Sequence, residues 1–161
     1  MELSLTGESN YMTNIMPQMD KMNRGAWLWT EMLVECFRDV EDLNVIGGAV
    51  FPVSGSTGET AEYEDRLDWF RESHNVDNPS FFWKVIQAKT LFPRDYNRIA
   101  FFMPNDVEAT ARNTGAYIVS LETLEAKLAA FGQPETFDVP AAQKRHVPSV
   151  VWDIPKGCNR G

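Results

Sequence analysis

Residues 10–31, NYMTNIMPQMDKMNRGAWLWTE, decide how the chain is read, because they join a polar loop to the start of an aromatic-lined helix. Asn23, Trp27 and Glu31 are each four apart, so a helix beginning near Asn23 carries all three along one slowly drifting side. Asparagine is a good N-cap, since its side-chain oxygen accepts from an otherwise orphaned backbone N–H. Arg24, Gly25 and Ala26 then lead into an apolar body. Asn14, Gln18 and Asn23 place three neutral amides near the helix start, and Glu31 adds a carboxylate. Amide oxygens and a carboxylate at a helix end can hold a hard cation such as Mg2+, which keeps most of its waters. By residue type alone the plainer reading is the commoner one: a cap at Asn23, a turn at Asn14 and a solvated Glu31.

The order and spacing add to this. Thr13-Asn14-Ile15-Met16-Pro17-Gln18 is followed by Met22-Asn23-Arg24-Gly25-Ala26-Trp27 and then Glu31. This resembles the TN-x-x-PQ, LNxGxW and Glu series of the sugar-non-specific DNA/RNA endonucleases, the ββα-metal nucleases that include endonuclease G. The similarity continues through Pro79-Ser80-Phe81-Phe82-Trp83-Lys84-Val85-Ile86 and Ile118-Val119-Ser120-Leu121-Glu122-Thr123-Leu124-Glu125, and covers roughly residues 10–131. The resemblance implies that Asn23 corresponds to the single protein ligand of a catalytic Mg2+. It implies that Glu31 orients metal-bound water near the leaving group, and that Asn14 is an active-site asparagine.

Two departures shape the functional expectation. In the family an Asp-Arg-Gly-His segment lies upstream of the Asn14 position, and its His is the general base. The residues before Asn14, MELSLTGESNYMT, contain no such segment and no His, and the histidines His74 and His146 stand in no such motif. A general base typically contributes about 10²–10⁴ in rate, or roughly 3–5 kcal/mol of barrier. Where the family usually has an Arg four residues after the Glu, this chain has Glu35, and Arg38 lies a turn further on. The expectation is therefore a nuclease-derived protein, inactive as a single chain, that serves as an accessory or structural subunit. The alternative is a Mg2+-dependent DNA/RNA endonuclease whose His-bearing half lies on another polypeptide or a missing segment. The expected partner is another protein chain, as the rest of a complex or as a complementing half. Nothing favours a small-molecule or peptide binding module.

Outward from this stretch the pattern is α+β. A first helix spans roughly residues 24–40, with Trp29, Met32, Leu33, Cys36, Phe37 and Val40 as its core stripe and Glu31, Glu35 and Arg38 on the other side. Leu3 and Leu5 alternate like an edge strand, and NVIGGAVFP (44–52) reads as a strand whose glycines signal a bulge or close backbone approach. The Ser54–Gly58 segment lacks the Lys-Ser/Thr of a phosphate loop. Residues 59–73 read as an acidic, partly helical segment with Trp69 as core, and His74 as a surface residue. Ser80–Ala88 reads as a central strand, Arg98–Pro104 as the next, and Gly115–Val119 as a short one. Ser120 caps a helix to about Phe131, which Gly132-Gln133-Pro134 ends. These elements predict an antiparallel or mixed central sheet with flanking helices, an incomplete ββα-metal nuclease-like fold. The nuclease-like domain covers residues 1–132. Residues 133–161 form a Pro-rich irregular tail whose Val150, Val151, Trp152 and Ile154 either dock on another subunit or cover the domain's own sheet.

Charge and cysteine content bound the partners. At 161 residues the chain is long enough for one real core. The net charge is −8, and residues 1–80 carry fifteen acids against five bases, a net of −10. The remaining eight acids and ten bases leave residues 81–161 at +2. Nucleic-acid affinity draws on Lys and Arg, so the acidic half disfavours strong binding of nucleic acid by this chain alone. No apolar run reaches the ~20 residues of a membrane span. No signal or transit peptide is evident, which leaves open an organelle, mitochondrion or plastid, for a processed chain. Cys36 reads as a small core residue and Cys158 as part of a Gly-Cys-Asn tail, and free thiols are the simpler state for such a pair.

Overall fold

Phe81–Ala88 is buried on both of its faces, and the rest of the molecule is arranged around that strand. The structure, a computed structural model, describes residues 16–51, 77–89 and 97–158. In chain order these form α1 (Asp20–Met22), a π-helical segment (Asn23–Trp27), α2 (Leu28–Arg38), β1 (Leu43–Val50) and β2 (Phe81–Ala88). Then come β3 (Arg98–Pro104), a 3-10 helix (Ala111–Tyr117), β4 (Ile118–Val119), α3 (Leu121–Ala130) and α4 (Ala141–Lys144). The sheet runs in the order β1-β2-β3-β4, with every neighbour antiparallel. The fold is α+β, and of the two expected sheet types it is the antiparallel one.

Period-two alternation assigns each strand residue to one of two layers. Phe82, Ile86, Ile99, Phe101 and Met103 meet Met22, Ala26, Leu33 and Phe37 of the long N-terminal helix. Phe81, Trp83, Val85, Ala100 and Phe102 face Leu121, Leu124 and Leu128 of α3. Phe81 stacks on Phe102 at 4.5 Å and meets Phe131 edge-on at 5.2 Å. Both expected strands at 80–88 and 98–104 are present, and β1 starts one residue earlier than expected. The close approach read from its glycines is present: a Cβ on Gly48 would stand 2.9 Å from Trp83 Nε1. The Ser120 cap is present too, with its hydroxyl accepting from Thr123 N–H at 3.0 Å. Gly132 (φ 72°) ends α3 in the left-handed region that glycine takes without strain.

Several expectations are corrected. The helix begins at Asp20, and Asn23 is not its N-cap. Met19 holds the cap position, and Asn105 Oδ1 accepts its N–H at 2.7 Å. Val40 is 55% exposed, because the helix ends at Arg38 before its stripe can carry that residue inward. Of Gly115–Val119 only Ile118–Val119 is strand. Thr110 and Asn113 form a capping box that winds the preceding residues into a 3-10 turn instead. The tail includes α4 and closes over its own domain: Trp152 is buried and meets Phe37 edge-on at 5.4 Å. Cys36 and Cys158 are not free thiols but form a disulfide, with a Cα–Cα distance of 5.3 Å. Trp152 packing on α2 brings the chain end beside Cys36, a proximity that sequence spacing does not carry. Leu3, Leu5, Trp69, His74 and the segments around them lie outside the described residues.

Candidate functional site

The helix that carries the candidate residues is anchored at its start by close backbone contact. A Cβ on Gly25 would lie 2.8 Å from the carbonyl oxygen of Ala109 and 2.9 Å from Thr110 Cα, so only glycine lets the two backbones approach this closely. Ala26 N–H donates to that same carbonyl at 3.1 Å. Gly25 has non-helical dihedrals (φ −109°, ψ −107°), and around it the helix widens into the π segment Asn23–Trp27. Such π-bulges occur disproportionately at functional sites. Asn23 opens this segment. Its side chain is exposed and makes no hydrogen bond among the described residues. Its backbone N–H is committed to Met19 O at 2.8 Å. The side-chain amide is therefore exposed, with no partner among the described residues.

Asn105 fixes the approach to this helix. Its Oδ1 accepts from Met19 N–H, and its Nδ2 donates to Pro17 O at 3.2 Å and Pro79 O at 2.9 Å. One buried amide thus ties the Pro17–Met19 segment to the end of the sheet. Gln18 in that segment is half-buried, and Asn14 lies outside the described residues. Beside the π segment, Lys21, Arg24 and Arg112 border an open groove, with Arg24 paired to Asp20 at 2.7 Å. The groove therefore has a locally cationic rim, with Lys21 and Arg24 from the acidic half of the sequence and Arg112 from the other.

Glu31 is exposed on α2. One residue before it, Thr30 is fully buried and its hydroxyl donates to Trp27 O at 2.8 Å. The same hydroxyl oxygen accepts from Lys84 Nζ at 2.9 Å. Lys84 projects from the middle of β2, is 7% exposed, and places its ammonium 3.8 Å from the centre of the Trp27 ring. Burial pulls its pKa down from 10.5 to about 8, and the Glu31 carboxylate opposes that pull. Glu35 pairs with Arg38 on the exposed side, so the acid standing where the resemblance expects an Arg is neutralised one turn along.

The histidines do not complete this site among the described residues. His146 lies with Arg98, Ala100, Val119 and Leu121 around a small cleft. Ala100, Val119 and Leu121 belong to the α3-side core, so this imidazole is on the opposite face of the sheet from Asn23 and Glu31. His74 lies outside the described residues. No group of three or more His, Cys, Asp or Glu side chains gathers to hold a metal among the described residues. The donor set at the helix is instead an amide and a carboxylate, a poor match for zinc. It suits a cation that retains its waters.

With this geometry in place, the family model for DNA/RNA non-specific endonucleases matches residues 4–135. The chain belongs to the DNA/RNA non-specific endonuclease family. Among curated proteins, no sequence matches it. The endonuclease match spans α1, the π segment, α2, all four strands and α3. Sequence reasoning missed two residues that hold the helix bearing the candidate residues. Lys84 carried a signal, since it falls on the apolar side of β2 between Phe82 and Ile86, where alternation calls for a hydrophobe. Asn105 carried none, since nothing in its sequence neighbourhood indicated the partners it holds.

Proposed function

We propose that this chain provides the metal-holding side of a DNA/RNA phosphodiesterase site and does not cleave nucleic acid by itself, acting as an accessory or structural subunit. The observation that carries the reading is the separation of Asn23 and Glu31 from His146 by the full thickness of the sheet. Asn23 offers an exposed amide oxygen, and Glu31 offers a carboxylate eight residues on, roughly 12 Å along a helix axis. That spacing suits a division of labour in which Asn23 contacts a Mg2+ ion and Glu31 accepts hydrogen bonds from its waters. When bound, Mg2+ would neutralise charge developing on the phosphate and the leaving oxygen. What the described residues do not bring to this face is an imidazole to take the proton from an attacking water.

A second reading is favoured by the exposure of the Asn23 amide at the opening of the π segment. The chain then works as part of an active Mg2+-dependent endonuclease, and the imidazole arrives from another polypeptide or from residues outside those described. Plasmid digestion with Mg2+ separates the two. The pure chain is expected to leave supercoiled plasmid intact. Cleavage by the pure chain that disappears in Asn23→Ala would defeat the non-cleaving reading. Cleavage that appears only with a partner chain, and is lost in Asn23→Ala, would establish the second.

A further inference from the structure

We propose that Lys84 is a positioning residue of this site, holding the Trp27–Glu31 turn of the helix and its carboxylate from beneath. The inference rests on the reading of Asn23 and Glu31 as one phosphodiester site. Three observations lead to it. Lys84 stands at a position where the sheet buries Phe82 and Ile86 on either side, yet it ends in an ammonium. No carboxylate makes an ion pair with it among the described residues. Its ammonium has one hydroxyl acceptor, Thr30 Oγ1 at 2.9 Å, and one aromatic face, Trp27 at 3.8 Å. Taking a charge out of water is costly, and a hydrocarbon of similar volume is often as stable or more so. Stability alone therefore does not account for a lysine here, and a desolvated cation beside a candidate site points to function.

The contacts indicate what that function is. Lys84, Thr30 and the Trp27 carbonyl form one chain of hydrogen bonds, ammonium to hydroxyl to backbone, spanning the helical turn that ends at Glu31. The Trp27 ring is held on its other contacts by Phe82, with centroids 5.4 Å apart. The turn is thus clamped to β2 by a directional contact and not only by apolar packing. Among the described residues, the Glu31 carboxylate acts on Lys84 by its charge and opposes the effect of burial, so clamp and carboxylate are electrostatically joined. A methionine at position 84 would preserve the packing and lose both the hydrogen-bonded register and the charge.

The test follows the Lys84 side chain by heteronuclear NMR across a pH titration of the whole chain, in the parent and in Glu31→Gln. The parent should titrate at about 8. Glu31→Gln should lower that midpoint by about half a pH unit or more, because the opposing charge is gone. Identical midpoints would overturn the proposal. Magnesium is then added while the Asn23 side-chain amide is observed, in the parent and in folded Lys84→Met. A response in the parent that weakens about threefold or more in Lys84→Met supports positioning, and equal responses overturn it. No response in either chain would count against the metal-site reading, while the Glu31→Gln titration would still decide the link between Lys84 and Glu31.

Discussion

The two faces of the sheet treat a lysine in opposite ways. On the α3 side, Lys144 of α4 meets Glu125 at 2.6 Å, and the same carboxylate oxygen accepts from Phe137 N–H at 2.7 Å. Desolvation pushes the Glu125 carboxyl up, but Lys144 and the Phe137 N–H together outweigh it and hold the group below its usual range. The charge there is matched and the surrounding layer is otherwise apolar. On the α2 side, Lys84 is more deeply buried, has no paired carboxylate among the described residues, and lies under the helix that bears the candidate residues. Satisfied charges fasten an element, whereas under-compensated charges mark a place where something other than stability sets the residue. The tail joins the two regimes. It is fastened to α3 through Lys144 and then crosses to α2, where Trp152 and the Cys36–Cys158 bond fix it.

The largest effect expected from breaking this arrangement is on the α2 side. The disulfide closes a loop with a sequence separation of 122. In the chain-entropy picture such a cross-link contributes about 4–5 kcal/mol by restricting the unfolded chain. Joint substitution Cys36→Ala and Cys158→Ala, or reduction, should lower denaturant stability by about that amount. It should also change Trp152 emission as the end of the tail loosens. Unchanged stability and emission on reduction would show that Trp152 packing alone fixes the tail.

The next effect has the opposite sign. The folded pKa of Lys84 is depressed from 10.5 to about 8, so below about pH 8 the folded state carries a charge it disfavours. The unfolded chain binds more protons between about 8 and 10.5, and stability from this group rises with pH through that window. The penalty at neutral pH is about 3 kcal/mol, from 1.36 kcal/mol per pH unit. Lys84→Met should therefore be as stable as the parent or more so at pH 7, by up to about 3 kcal/mol less the lost Thr30 bond. The advantage should shrink as pH rises toward 10.5. Denaturation curves of the two chains at pH 7 and pH 10 test this. A Lys84→Met chain that is less stable at pH 7 would mean that the lysine supports the fold, and the contrast between the faces would fail.

Sequence and structure agree where local chemistry decides the outcome. β2 and β3 follow from aromatic and β-branched runs, and α3 follows from Ser120 and Gly132. The ends of α3 are set by groups a few residues away. The candidate site was legible only as an ordered set of residue types. Asn23 was read as the cap of the helix start, but the helix starts at Asp20, because that start is fixed by Asn105, 86 residues from Met19. Thr30 and Lys84 meet across 54 residues, and Cys36 and Cys158 across 122. Periodicity within a window cannot report such pairings. The lysine inside an apolar stripe was the one local anomaly that could have indicated its partner.

The smallest effect falls on the matched pair. Because the folded pKa of Glu125 is lowered, its contribution is present above the ordinary carboxylate range and is lost as pH falls through the folded value. Lys144→Met removes the cation but leaves the Phe137 N–H bond, so the carboxylate keeps part of its support. With both side chains about four-fifths buried, the loss at neutral pH should be on the order of 1 kcal/mol, the upper end for a partly solvated pair. That loss should fade in acid as the parent's own carboxylate becomes protonated. Guanidinium melts at pH 7 and near pH 3 read the difference. A penalty that persists unchanged at low pH would mean that the lysine's methylenes, not its charge, hold α4. The two faces would then differ only in how deeply each lysine is buried.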